Sequence, residues 1–116
     1  MPQPTLMPEK DPHAVKPYHI VWCSPDGTND GSVNDIGELQ GETISTVTWT
    51  VPTGITKDSD NKAAITIHGV SYAINTVATI WLSSGTDDTN YDLACKIVTS
   101  GSRTLEKTIR IPVRSQ

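Results

Sequence analysis

Tyr91-Asp92-Leu93-Ala94-Cys95-Lys96-Ile97-Val98, with Ser100-Gly101-Ser102 and then Thr104-Leu105-Glu106-Lys107-Thr108-Ile109-Arg110-Ile111-Pro112-Val113, decides the fold. Tyr91, Leu93, Cys95 and Ile97 alternate with Asp92, Ala94, Lys96 and Val98. Leu105, Lys107, Ile109, Ile111 and Val113 alternate with Thr104, Glu106, Thr108, Arg110 and Pro112. Successive side chains of extended backbone point to opposite faces, so both runs predict strands with one apolar face. The Ser-Gly-Ser step between them predicts a hairpin turn. Pro112 has no N–H to give a ladder, which predicts a sheet edge at the end of the last strand.

Working outward, the same period recurs. Residues 77–83 set Ile80 and Leu82 against Thr79 and Trp81. Residues 43–51 set Val47, Trp49 and Val51 against Thr46, Thr48 and Thr50, with Ile44 out of phase, which predicts a bulge before Val47. Pro52-Thr53-Gly54 then predicts a turn. Residues 18–23 place Tyr18, Ile20 and Trp22 on one face. Residues 63–68 read as a weaker strand, 72–75 as a short edge piece, and 57–62 (Lys-Asp-Ser-Asp-Asn-Lys) as a polar turn. Residues 24–41 and 84–88 read as loops. No helical period is present. About seven strands with frequent turns predict an all-β, immunoglobulin-like antiparallel β-sandwich. Tyr91 at the start of the penultimate strand is a candidate tyrosine corner, although it stands four residues before Cys95 rather than two.

The composition agrees. The 116 residues suffice for one domain. The hydrophobic share is 35% and the aromatic share 5%, with no Phe, which suits a thin core between two sheets. Thr occurs 16 times, and a β-branched, polar-tipped side chain fits the wet face of a strand. The net charge of -4 and the scattered Lys and Arg argue against nucleic acid as a partner. No apolar run approaches the ~20 residues that span a bilayer, so no membrane is expected. Residues 1–10 carry no secretory signal pattern, which predicts synthesis in a cytoplasm. There, Cys23 and Cys95 read as two buried thiols, the alternative being an inter-sheet disulfide.

Residues 1–17 hold five of the eight prolines: Pro2, Pro4, Pro8, Pro12 and Pro17. Such a segment forms neither helix nor central strand. It predicts an extended N-terminal arm, 1–17, ahead of a sandwich domain, 18–116. The arm is either a free tail or a segment ordered on a neighbouring subunit. Its apolar side chains Leu6, Met7 and Val15 are candidate partner-binding residues. Trp81 is another, because it is either a core residue of the second face or an exposed anchor.

Several stretches taken in order resemble a known family. They are Tyr18-His19-Ile20-Val21-Trp22; Thr48-Trp49-Thr50-Val51-Pro52-Thr53-Gly54; Trp81-Leu82-Ser83-Ser84-Gly85-Thr86; Asn90-Tyr91; and Ser100-Gly101-Ser102-Arg103-Thr104 with Arg110-Ile111-Pro112-Val113-Arg114. The set is similar to the small immunoglobulin-like structural proteins of tailed bacteriophages, the fiber-tail adaptor or fiber-type proteins. The likeness spans most of residues 18–114. The segments 24–41 and 57–76 are longer than that pattern. The resemblance implies a virion location, a non-enzymatic role and other virion proteins as partners, with multiple copies in a symmetric assembly. It implies a fiber-tail adaptor first, and a capsid decoration or head fiber protein second. A carbohydrate-binding module for host recognition is a third reading.

The residues assign no catalytic chemistry. His13, His19 and His68 form no spaced pair, and no Cys-x-x-Cys occurs, so no metal or cofactor is expected. No Gly-x-Ser-x-Gly elbow or phosphate loop occurs. Asp26-Gly27-Thr28-Asn29-Asp30-Gly31 follows a calcium loop through its sixth place, but Gly37 stands where the closing Glu belongs. An ordinary polar loop is the expectation there.

Overall fold

The computed structural model describes residues 5–115. The remaining residues of the predicted arm, 1–4, and of the predicted domain, 116, lie outside the described residues. Nine strands occur among the described residues: β1 (Thr5–Leu6), β2 (Lys16–Val21), β3 (Ile44–Thr50), β4 (Ile55–Asn61), β5 (Ile65–Ile67), β6 (Val70–Tyr72), β7 (Val77–Ser84), β8 (Thr89–Thr99) and β9 (Thr104–Val113). They form one sheet of order β1-β9-β8-β3, a second of order β2-β7-β4, and a separate hairpin β5-β6. The immunoglobulin arrangement places its second, fifth and fourth strands in one sheet and its third, sixth and seventh in the other. β2, β7 and β4 occupy the first set, and β3, β8 and β9 the second. The hairpin β5-β6 is an addition between β4 and β7, and β1 runs parallel to β9. The all-β sandwich expected from the alternation is the fold observed.

The alternation also finds the core. Tyr18 and Ile20 face Ile80 and Ala78 across the β2–β7 ladder. Leu93 and Tyr91 face Ile109 and Ile111 across β8–β9. All eight are buried, together with Trp22, Trp49, Leu82, Cys95 and Ile97. Each such side chain contributes about 1.5–3 kcal/mol by leaving water. Cys23 and Cys95 are buried free thiols. Burial pushes the Cys95 thiol up to about 12, so the sulfur stays protonated and unreactive. The Tyr91 hydroxyl accepts the Thr86 N–H at 2.9 Å, which ties the β7–β8 corner to the start of β8.

Local details follow from backbone chemistry. The β3–β8 register shifts between Ile44 and Thr46, the bulge that the phase of Ile44 predicts. His68 and Gly69 both have positive φ, 49° and 82°, and form the two-residue turn of the β5-β6 hairpin. The strand read over 63–68 therefore stops at Ile67. Two expectations fail. The short edge piece is not 72–75 but β6, Val70–Tyr72, because the His68-Gly69 turn sets its register and only Tyr72 of the expected piece pairs. Residues 57–62 are not a turn: Lys57 to Asn61 belong to β4, paired with β7 around a bulge between Lys57 and Ser59. β4 is a solvated edge strand, so polar side chains suit it. Its extended state comes from the backbone ladder to β7 rather than from an apolar face of its own.

Candidate docking surface

Residues 5–17 lie against the chain's own sandwich. Thr5 and Leu6 pair in parallel with Ile109 and Arg110 of β9, and the Met7 N–H donates to the Arg110 carbonyl. Lys10 then locks the segment. Its N–H donates to the Pro112 carbonyl, and its carbonyl accepts the Arg114 N–H, both at 2.9 Å. Its side chain is fully buried, and Nζ donates to the carbonyls of Ser84 (2.6 Å) and Asp11 (2.9 Å). Desolvation holds this ammonium below the ordinary lysine pKa, against the pull of Asp11 and Asp58. The Tyr18 hydroxyl donates to the Pro8 carbonyl, and Lys16 Nζ to that of Glu9. This segment therefore docks on the chain's own sandwich. It also covers the edge of β9 that Pro112 leaves weak.

Docking the arm creates a groove of about 230 Å³ beside β2. Met7 and Pro8 form one wall, Ile67 of the hairpin contributes to the other, and Pro17, His19 and Val21 lie along β2. His19 Nδ1 is 2.8 Å from Thr79 Oγ1. Burial holds the His19 ring below its usual pKa, so it is neutral at pH 7. Pro17 sits across the ladder from Trp81, which faces away from Ile80 and Leu82. Trp81 is 38% exposed, so it is not a buried core residue of the second face.

Residues 10–112 match the model of the podophage GP4 fiber-tail adaptor protein gp77 family. The chain belongs to that family. As a member of the podophage fiber-tail adaptor family it is a phage structural protein and a virion component that contacts other virion proteins. No curated protein sequence matches the chain. The matched span of this adaptor-family chain runs from Lys10 to Pro112, the two residues whose backbones bond to each other. Leu6 and Met7 precede that span; Val15 and Trp81 lie within it.

The structure does not gather the four predicted contact residues into one patch. Met7 lines the groove, and Trp81 adjoins it through Pro17. Leu6 and Val15, 70% and 57% exposed, are not among the residues that line it. Three further exposed aliphatics, Val33, Ile36 and Ile74, lie at the other end of the sandwich. Sequence reading passed over them because a lone apolar residue in a polar loop gives no periodic signal. Their loops are stitched together there: Leu39 N–H donates to Trp22 O, Trp22 N–H to Thr76 O, and Ile44 N–H to Asn75 O.

The calcium-like stretch has a different organiser. Buried Asp35 accepts the N–H groups of Asp30 and Gly31 through one carboxylate oxygen and that of Gly37 through the other. Asp26 and Asp30 each cap their own turn, accepting the N–H groups of Thr28 and Ser32. Those bonds hold both carboxyls below the usual range. Among the described residues no group of three or more His, Cys, Asp or Glu side chains is placed to hold a metal.

Proposed function

We propose that this chain joins tail fibers to the phage tail or neck as a non-enzymatic adaptor, present in several copies around a symmetric position. The family match over residues 10–112 carries this reading. Residues 1–17 act as the arm and 18–116 as the sandwich. Leu6 and Val15 on the docked arm, Met7 in the groove and Trp81 beside it are the contact residues. Burying a Trp and three flexible aliphatic side chains against a partner yields affinity without any covalent step, and aromatic anchors contribute most to such contacts.

Deleting the gene from the phage tests this. Particles made without the chain are expected to package DNA yet carry no fibers, and labelled chain is expected at the tail in electron micrographs. Fibers attached in its absence, or label spread over the head shell, overturn the adaptor role.

A further inference from the structure

Among the described residues, the outer strands of the two larger sheets are guarded, with one exception. β1 is two residues long. β2 carries Lys16 and Pro17, and β4 carries Lys57, Asp58 and Asp60 together with a bulge. Short length, proline, charge and bulges are the devices that stop an edge from pairing with another chain. β3, Ile44-Ser45-Thr46-Val47-Thr48-Trp49-Thr50, has no charged residue and no proline. One side of it pairs with β8. On the other side, among the described residues, the Ile44 N–H meets Asn75 O, and no partner meets residues 45–50. After the bulge at its start, Thr46 to Thr50 is a regular, neutral strand of high β-propensity whose threonines are exposed.

We infer that this edge pairs with β3 of a second copy, antiparallel about a twofold axis through Thr48. The sequence Thr46-Val47-Thr48-Trp49-Thr50 is self-complementary about its centre. Reversal sets Thr46 against Thr50 and Thr48 against Thr48 on the solvent face. It sets Val47 against Trp49 on the core face. Thr–Thr and aromatic–β-branched pairs are favourable cross-strand partners. Neutrality matters equally, because an antiparallel strand meeting its own copy places like charges together wherever a charge lies on the axis. The contact is isologous and closes at two copies. It joins the two four-stranded sheets into one, and it leaves the groove and Trp81 free. The inference stands apart from fiber attachment.

Sedimentation equilibrium of the full-length chain tests it, with Thr48 as the probe. Wild type is expected to dimerise. Thr48→Lys and Thr48→Glu place like charges across the axis and are each expected to weaken dimerisation by roughly tenfold or more. An equimolar mixture of the two is expected to restore a dimer. Thr66→Lys, on the exposed β5, is expected to change nothing. Circular dichroism checks that each variant folds. Should a charged variant misfold, Thr48→Cys gives an independent reading. Directly opposed residues lie about 4.5–5.5 Å apart at Cα, within disulfide reach, so oxidation is expected to yield a covalent dimer where Thr66→Cys does not.

A monomeric wild type, a dimer unmoved by Thr48→Lys, or a mixture that stays monomeric overturns the inference. A wild-type monomer that instead gains a purified fiber or tail protein through Thr48 assigns the edge to a foreign strand and also overturns it. A monomer still found at the fiber attachment point leaves the adaptor role intact.

Discussion

Lys10 shows how much one side chain can do in an arm that reads as featureless. Its four methylenes leave water, and its ammonium stays satisfied by the carbonyls of Ser84 and Asp11. Replacing it with Met keeps the stem but takes the ammonium donor from the Ser84 carbonyl, while the Asp11 carbonyl keeps the Ala14 N–H. Lys10→Met is expected to cost about 1–3 kcal/mol, the range for a buried polar group left unpaired. Urea unfolding reads the loss, and proteolysis within residues 5–17 should quicken. Titrating residues set the acid behaviour. The bonds from Thr99 and Arg103 hold Glu42 below its ordinary 4.5, and Arg110 holds Asp92 below 3.8. A depressed carboxylate adds stability that is complete above its unfolded pKa and lost as pH falls through the folded one. His19 is depressed from 6.5, so its folded ring resists protonation, and stability declines as pH drops below 6.5 toward the folded value. Unfolding free energy is therefore expected to be level near pH 7, to dip below 6.5, to fall again below 4.5, and to decline above 9, where the Cys95 thiol ionises once unfolded. His19→Gln should remove the first step, and Glu42→Gln should shrink the second, to which Asp26, Asp30 and Asp92 still contribute.

At the scale of elements, loop 22–43 is built by close approach. A Cβ on Gly37 would stand 2.2 Å from the Cys23 carbonyl carbon and 2.3 Å from Ser24 N, so backbone and not a side-chain tip blocks it. Gly37→Ala must therefore displace the loop from Cys23 and Ser24 and loosen the Asp35 bonds. A loss of about 3 kcal/mol is expected, as for overpacked sites, and hydrogen exchange at Asp30, Gly31 and Gly37 should accelerate. This contact was not legible in the sequence, where Gly37 is one glycine of a polar loop. β8 and β9 were legible because each buries one whole face, which writes a period of two into the residues. β4 was not, because Ile55 is its one buried apolar side chain and its pairing partner decides its shape. Trp81 was half legible. The alternation put it opposite Ile80, but whether anything covers that face depends on where a hairpin 9 to 16 positions earlier in the chain comes to rest.

For the whole molecule, the arm is the element that joins the two sheets at one end, since Lys10 bonds at once to β9 through Pro112 and to β7 through Ser84. The contact surface proposed above is therefore composite: docked arm, groove beside β2, and Trp81. Its parts separate by their effect on folding. Trp81 stands on a solvated face, and its removal leaves the core cluster of Tyr18, Ile80 and Leu82 untouched. Trp81→Ala is expected to lower unfolding free energy by about 0.5–1.5 kcal/mol, the loss of its cross-strand contacts, against about 3–5 kcal/mol for a core Trp. If the face is the fiber contact, the same substitution should lower fiber occupancy on particles at least tenfold, since a buried Trp anchor contributes about 2 kcal/mol or more. Fiber counts in electron micrographs of particles carrying Trp81→Ala, set beside urea melts of the isolated chain, check both halves. Full occupancy with a melt shifted only that far would remove Trp81 from the interface and leave the arm's Leu6 and Val15 as the contacts to test next.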